Sequence, residues 1–175
     1  MRGERFGLYL SRERIADRVQ DLGRRISEDY AGKKPILIGV LNGAFMFLSD
    51  LMKEISIDCE VDFLKLSSYG DSKISRGVVR ELKKIDAEIR GRHVIVVEDI
   101  VDSGVTMKYI MDQLEEHGPA SLRCATLLQK PDATKVTVPL EYIGFEIDNL
   151  FVVGYGLDYG QIGRNLADIY ILQES

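Results

Sequence analysis

The sequence predicts an α/β fold, with a mainly parallel, twisted β-sheet flanked by helices. Three apolar runs carry this prediction, at residues 36–41, 93–97 and 122–128, and each has the length of a buried strand. Segments with helical periodicity precede or follow these runs. Strands that alternate with helices form parallel sheets through right-handed crossovers, so we expect a ligand site outside the carboxyl ends of the strands.

The first helix is predicted to begin after Ser11. Ser11 is the expected N-cap, because a serine hydroxyl can accept a hydrogen bond from an amide of the first turn. Gly32 is the predicted end of this segment, and the strand at residues 36–41 follows it. The apolar side chains expected on the buried face recur at helical spacing: Ile15, Val19, Leu22, Ile26 and Tyr30.

A second helix is predicted after Asn42 and Gly43, over residues 44–55. Its expected buried face carries five apolar side chains: Phe45, Leu48, Leu51, Met52 and Ile55. The helix is apolar enough to supply a subunit interface as well, and a homodimer or homotetramer is expected.

The rest of the chain continues the alternation. Strands are predicted at residues 58–67, 78–82 and 151–155, besides those named above. Between the first two, the polar segment at about 67–78 predicts a flexible loop, because it has almost nothing to bury. A third helix is predicted to end at Gly118 and to bury four side chains: Met107, Ile110, Met111 and Leu114.

Composition predicts one ordinary globular domain over residues 1–175. The chain is 45% hydrophobic and 29% charged, and its net charge is 23 − 28 = −5, which disfavours generic nucleic-acid binding. The longest apolar run, at residues 35–41, is far shorter than the ~20 residues that span a bilayer. No signal peptide is predicted, so we expect a cytoplasmic protein with no membrane partner. Cys59 and Cys124 are expected to be buried free thiols.

The strongest functional signal is the end of the strand that begins at residue 93. Three carboxylates crowd there, at Glu98, Asp99 and Asp102. Ser103, Gly104, Val105 and Thr106 follow where a helix begins, and hydroxyls, a glycine and free helical amides together can cradle a phosphate. Acids for ribose hydroxyls or Mg²⁺ beside amides for an anion suit a phosphorylated sugar. Helix capping alone explains one acid, and the absence of Gly-Lys-Ser/Thr argues against a nucleoside triphosphatase.

Residues 97–107, Val-Glu-Asp-Ile-Val-Asp-Ser-Gly-Val-Thr-Met, resemble the phosphoribosyl-diphosphate (PRPP) motif of type I phosphoribosyltransferases, most closely the hypoxanthine-guanine enzymes. The resemblance covers nearly the whole chain and implies that family's fold, with a small hood formed by the N- and C-terminal segments. It implies that Glu98 and Asp99 contact ribose, that Asp102 is the general base, and that residues 103–106 hold the 5′-phosphate.

Residues 151–159 also resemble the family. The resemblance implies that Phe151 stacks on the purine, that the Val152 backbone reads its edge, and that Lys130 contacts it. Asp158 then lies beside the purine and binds Mg²⁺, with Glu98 and Asp99 near the ribose-bound ion.

Two further matches concern pyrophosphate and a lid. The resemblance implies that Leu41, Asn42 and Gly43 bind pyrophosphate with Arg164, and that Ser68 and Tyr69 belong to a lid that closes over PRPP. The family often has lysine or arginine where this chain has Asn42, so one positive charge is missing. A strained or cis peptide before the glycine is typical of this loop.

The implied reaction is Mg²⁺-dependent transfer of 5-phosphoribose from PRPP to N9 of hypoxanthine or guanine, in purine salvage. The alternative within the fold is a uracil-type phosphoribosyltransferase that also binds RNA. Its candidate RNA surface is a basic cluster interrupted by acids: Lys73, Arg76, Arg80, Lys83, Lys84, Arg90 and Arg92. A phosphoacceptor signalling domain also gathers acids at strand ends, but it has no use for the Ser-Gly-Val-Thr turn.

Overall fold

The computed structural model describes residues 4–68 and 79–173. Three helices are present in this part of the chain: α1 (Arg12–Asp29), α2 (Phe45–Glu54) and α3 (Val105–Glu115). The strands are, in chain order, β1 (Phe6–Leu10), β2 (Ile36–Leu41), β3 (Glu60–Ser68), β4 (Val79–Lys83), β5 (His93–Val101), β6 (Ser121–Gln129), β7 (Tyr142–Glu146), β8 (Val152–Val153) and β9 (Ile169–Leu172).

The larger sheet confirms the predicted α/β architecture. Its strand order is β4-β3-β2-β5-β6-β7, in which β3, β2, β5, β6 and β7 are parallel and β4 is an antiparallel edge strand. Side chains of β5 alternate between the two faces, as in any strand. Ile95 and Val97 pack with α1 and α2, while Val94 and Val96 pack with α3 on the other face.

Helix α1 forms as its sequence predicts. Ser11 Oγ accepts a hydrogen bond from the Arg14 amide at 3.4 Å, and the five apolar residues of the predicted face are all buried. Helix α2 differs from its prediction at one end. Phe47, Leu48 and Leu51 are buried, but Phe45 is 43% exposed, because it opens the first turn and lies off the packed stripe.

Several expectations from local pattern need correction. Strand β3 runs through Ser68, whose backbone pairs with Val79, so it includes Ser67, as the strand predicted at residues 58–67 does, and extends one residue further, to Ser68, which was expected in the loop. The expected strand at residues 151–155 is reduced to Val152–Val153, because Gly154, Tyr155 and Gly156 have positive φ. Of the two free thiols, Cys124 is buried, whereas Cys59 is only half-buried.

A second, antiparallel sheet joins the two ends of the chain in the order β1-β9-β8. Strands β1, β7 and β9 have no counterpart in the sequence prediction. Within the described residues, no helix is both long and apolar enough to cross a membrane.

The topology fixes where a ligand can bind. From β2 the chain crosses to β3 on one side, whereas from its neighbour β5 it crosses to β6 on the other. The connections therefore diverge at the carboxyl ends of β2 and β5 and leave a crevice there, which is the usual ligand position in open α/β sheets.

Candidate functional site

Two acids occupy the carboxyl end of β5. Glu98 and Asp99 are each only 9% exposed. The Asp99 amide donates to Glu98 Oε1 at 3.1 Å, and the Ile100 amide donates to Asp99 Oδ1 at 2.9 Å. The two side chains are therefore held next to each other with few donors around them.

Burial dominates the electrostatics of this pair. It raises the pKa of the Glu98 carboxyl well above its usual range, and the neighbouring Asp99 charge raises it further. Burial also raises the pKa of Asp99, against the opposing effect of hydrogen bonds from Glu98 and the Ile100 amide. The pair favours a shared proton, or partners such as hydroxyls or a cation that offset its charge.

The N-terminus of α3 is open. Its N-cap residue, Gly104, has φ 78° and no side chain caps the first turn, whereas Ser11 caps α1. The first amides of a helix have no partner within the helix, so those of α3 remain available to a ligand. Asp102, just before the turn, accepts a hydrogen bond from the Ser103 amide.

A later segment of the chain braces this turn. The amides of Lys135 and Val136 both donate to the Ser103 carbonyl at 3.0 Å, and the Lys130 amide donates to the Val101 carbonyl at 3.0 Å. A Cβ on Gly104 would overlap the Val136 carbonyl oxygen, so only glycine fits here. The turn borders a pocket of about 200 Å³, lined by Glu98, Asp99, Ile100, Val101, Asp102, Gly104, Thr106 and Met107.

A second pocket, of about 330 Å³, shares Asp99, Ile100 and Asp102 with the first. Its other lining residues come from later in the chain: Lys130, Phe151, Val152, Leu157 and Asp158. Phe151 is 46% exposed, and its ring meets the edge of Tyr159 with centroids 5.5 Å apart. Among the described residues, the Lys130 ammonium makes no ion pair. An exposed ring thus lines the same pocket as Asp102 and as a lysine that forms no ion pair in the described part of the chain.

The turn after β2 packs between these acids and the loop after β8. A Cβ on Gly43 would overlap the Asp99 carboxylate, and one on Gly156 would overlap the Gly43 carbonyl. The Leu41–Asn42 peptide is cis, and the Asn42 side chain is exposed.

Arg164 ties the loop after β8 together. One guanidinium nitrogen lies 2.6 Å from Asp158 Oδ1, and another donates to the Gly156 carbonyl at 2.7 Å. The second Asp158 oxygen accepts the Gln161 amide at 2.8 Å. Arg164 also lies near enough to Asp99 to oppose the rise of its pKa.

The structure gathers most of the predicted site residues at one edge of the sheet. Residues 98–106, Lys130, Phe151, Val152 and Asp158 line the two joined pockets or the turn between them, and the turn at residues 41–43 adjoins Asp99. Ser68 ends β3 beside this edge, and its expected lid partner Tyr69 lies outside the described residues. The sequence pattern did not indicate the apolar residues that line the pockets, Ile100, Val101, Met107 and Leu157, because they look like ordinary core residues.

Two members of the basic cluster considered for RNA are paired with acids. Lys83 Nζ lies 3.2 Å from Asp62 and 3.1 Å from Asp86, and Arg92 lies 2.9 Å from Glu60. Lys73 and Arg76 lie outside the described residues.

Comparison with known proteins places this geometry in a family. The chain is 44% identical to the hypoxanthine-guanine phosphoribosyltransferase of Mycobacterium tuberculosis, over 95% of this chain and 86% of that protein. It is 41% identical to the bifunctional protein TilS/HprT of Listeria innocua over 95% of its own length, but it spans only about a quarter (26%) of that protein.

Solved structures agree with these relatives. A hypoxanthine-guanine phosphoribosyltransferase from Bacillus anthracis superposes with a TM-score of 0.91 at 41% identity, covering 95% of this chain and 98% of that one. The type I phosphoribosyltransferase fold implied by the sequence is therefore confirmed. A family model described as "Phosphoribosyl transferase domain" matches residues 8–160, and the chain belongs to that family.

Proposed function

We propose that this protein transfers the 5-phosphoribosyl group of PRPP to N9 of hypoxanthine or guanine, releasing pyrophosphate. The observation that carries the proposal is the pair of joined pockets that meet at Asp99 and Asp102. One pocket offers uncapped helix amides to a phosphate. The other offers a purine an exposed aromatic ring and a lysine that is not paired with any acid of residues 4–68 or 79–173.

In this proposal, the first pocket binds the ribose phosphate. The amides of residues 103–106 and the hydroxyls of Ser103 and Thr106 hold the 5′-phosphate, because α3 supplies no side-chain cap of its own. Glu98 and Asp99 accept hydrogen bonds from the ribose hydroxyls. The two carboxyls are buried and have few hydrogen-bond donors around them, and the ribose hydroxyls would supply such donors.

The purine lies in the second pocket between Phe151 and Asp102. The bond between C1′ and the pyrophosphate oxygen breaks, pyrophosphate leaves with the electron pair, and N9 forms the new bond to C1′. Asp102 takes the purine proton, or stabilises it at N7, as N9 attacks. Its hydrogen bond with the Ser103 amide holds the carboxylate in place for that transfer. Lys130 and the Val152 backbone hold the edge of the purine.

The pyrophosphate group lies between the turn at Leu41, Asn42 and Gly43 and the guanidinium of Arg164. Backbone amides carry more of this binding than in relatives with a cation at residue 42, since Asn42 is neutral. The expected lid, with Ser68 and Tyr69, excludes water while the C1′ centre is reactive.

Mg²⁺ fits the donors of this site. They are hard carboxylate oxygens, but no group of three or more His, Cys, Asp or Glu in the described residues could hold a metal by itself. Mg²⁺ keeps several waters and often binds through one or two carboxylates plus substrate phosphates, which matches such a sparse set. Asp158 would hold the ion, with Glu98 and Asp99 near a second, ribose-bound one. Bound Mg²⁺ would offset the charge of the leaving pyrophosphate.

Removing the metal is expected to abolish turnover. Excess EDTA should reduce pyrophosphate release to the background rate, because the site's own positive charge is small and residue 42 is neutral. Excess MgCl₂ added afterwards should restore the rate. Full activity in excess EDTA would contradict the proposed role of the ion.

Lys130 is expected to act on the purine and not on PRPP. In Lys130→Ala, KM for hypoxanthine should rise by about tenfold or more, because a charge-assisted contact worth ~1.5–3 kcal/mol is lost. KM for PRPP should change far less. The matched control is Lys135→Ala, an exposed lysine of the same segment. Equal rises in both KM values would indicate misfolding and contradict the assignment.

The proposed function is tested by a substrate panel. PRPP and Mg²⁺ are supplied with hypoxanthine, guanine, xanthine, adenine or uracil, and pyrophosphate release is followed. Turnover with hypoxanthine or guanine is the expected result. Turnover with uracil alone, together with a gel shift of structured RNA at physiological salt, would support the uracil-type alternative. We also propose a cytoplasmic homodimer or homotetramer that binds neither nucleic acid nor membranes.

A further inference from the structure

Tyr155 joins the loop after β8 to helix α2. Its side chain is 5% exposed, and its hydroxyl donates a hydrogen bond to Asp50 Oδ2 at 2.7 Å. The residues are 105 positions apart in sequence, so this hydrogen bond joins two elements that are distant along the chain. Burial and the Asp50 carboxylate both raise the pKa of Tyr155, so the hydroxyl keeps its proton and remains a donor.

The backbone of Tyr155 is in an uncommon conformation. Its φ is 50°, in the left-handed region that a tyrosine rarely adopts. Its amide donates to the Leu166 carbonyl at 2.8 Å, and the next amide, Gly156, donates to the Arg164 carbonyl at 2.9 Å. Such residues persist where their surroundings fix them, and they cluster at functional sites.

The residue after Tyr155 contacts both parts of the proposed pyrophosphate site. Gly156 packs directly on the Gly43 carbonyl, and its own carbonyl accepts a hydrogen bond from the Arg164 guanidinium at 2.7 Å. Helix α2, which carries Asp50, begins two residues after Gly43. The Tyr155 hydroxyl therefore ties the Arg164 loop to the same helix that leads out of the turn at residues 41–43.

Packing alone does not account for the hydroxyl. A phenylalanine would fill the same volume without placing a polar atom in a largely buried position. Asp50 already has a cation, since Lys53 Nζ lies 2.7 Å from its other oxygen. The hydroxyl thus adds a directional link between the two elements.

We propose that the Tyr155–Asp50 hydrogen bond is a positioning contact that sets the separation of Arg164 from the turn at residues 41–43. It thereby controls the affinity for two ligands. These are free pyrophosphate in the reverse reaction and the diphosphate group of PRPP in the forward reaction. This inference rests on the proposed function, because it needs pyrophosphate to lie between these two elements.

The test is Tyr155→Phe, which removes one oxygen and leaves the ring. The reverse reaction starts from pyrophosphate and inosine monophosphate (IMP), the nucleotide formed from hypoxanthine. In this direction KM for pyrophosphate should rise about five- to tenfold, which is the usual effect of losing one hydrogen bond. KM for IMP and for hypoxanthine should stay within about twofold, because Phe151 and Lys130 do not depend on this bond. Asp50→Ala removes the acceptor and should produce the same split.

The matched control is Tyr142→Phe. Tyr142 is also buried, and its hydroxyl donates to a carboxylate, Asp29, at 2.6 Å. It is the first residue of β7, so it lies at the amino-terminal ends of the parallel strands, whereas the two pockets lie at their carboxyl ends. This variant should lower the melting temperature but leave KM for pyrophosphate unchanged.

The outcomes separate the two proposals. If the unsubstituted protein turns over none of the bases in the panel, the proposed function fails and the positioning role fails with it. If it turns over hypoxanthine or guanine but Tyr155→Phe leaves KM for pyrophosphate unchanged, only the positioning role is wrong. An equal rise in Tyr142→Phe would likewise overturn it, since the effect would then follow general destabilisation.

Discussion

Asp102→Asn is expected to lower kcat by about 10²–10⁴-fold, which is the usual contribution of a positioned general base. Asparagine has nearly the same shape, and its carbonyl oxygen can still accept the Ser103 amide, so the turn before α3 should keep its form. The amide cannot take the purine proton. KM for PRPP should therefore change little, and the loss should lie in the chemical step, as measured by steady-state and single-turnover kinetics.

The control for this prediction is Asp132→Asn. Asp132 is exposed in the short 3₁₀ turn Pro131–Ala133, close in sequence to Lys130 but outside the lining of both pockets. It should retain full activity. An unchanged kcat in Asp102→Asn would show that Asp102 is not the base.

Gly104→Ala is expected to impair binding of PRPP more than any other small substitution of the turn. At φ 78° an alanine costs ~1–2 kcal/mol, and its Cβ would also overlap the Val136 carbonyl. Relief of that overlap requires the turn to separate from the segment whose amides bind the Ser103 carbonyl. The amides of the α3 N-terminus would then no longer converge, and KM for PRPP should rise by about tenfold or more.

Gly118→Ala isolates the backbone part of this effect. Gly118 lies beyond the other end of α3 with φ 68°, and an added Cβ meets nothing within 4 Å. This variant should lose only about 1 kcal/mol, a fall of ~2–4 °C in melting temperature, and keep its KM for PRPP. Equal behaviour of the two variants in calorimetry and kinetics would rule out a phosphate cradle at Gly104.

Much of this architecture follows from local sequence. Helix α1 was predictable from apolar residues at helical spacing. Strands β2 and β5 were predictable because each contains a continuous apolar run. The acids and the glycine turn were predictable because they lie together in one short segment, residues 98–106, where the sequence shows them side by side.

What sequence could not supply was long-range pairing. Strand β1 pairs with β9, more than 150 residues away. Both are apolar but only five and four residues long, and no local pattern indicates which segment each one pairs with. The Tyr155–Asp50 bond depends on the same kind of distant contact. Phe45 was misassigned because its spacing to Leu48 and Met52 also fits a helical period, whereas the stripe that packs runs through Ala44, Phe47, Leu48 and Leu51.

The ion pair between Arg164 and Asp158 has a consequence for ligand binding. The two groups proposed to meet pyrophosphate and Mg²⁺ already neutralise each other at 2.6 Å, with both side chains about three-quarters shielded from solvent. In the proposed function, a metal–diphosphate complex would have to replace this ion pair, with the ligand's phosphate binding the guanidinium and its metal binding the carboxylate. The affinity for such a complex would therefore depend on the difference between two free energies: that of the new ion pairs with the ligand and that of the Arg164–Asp158 pair that they replace.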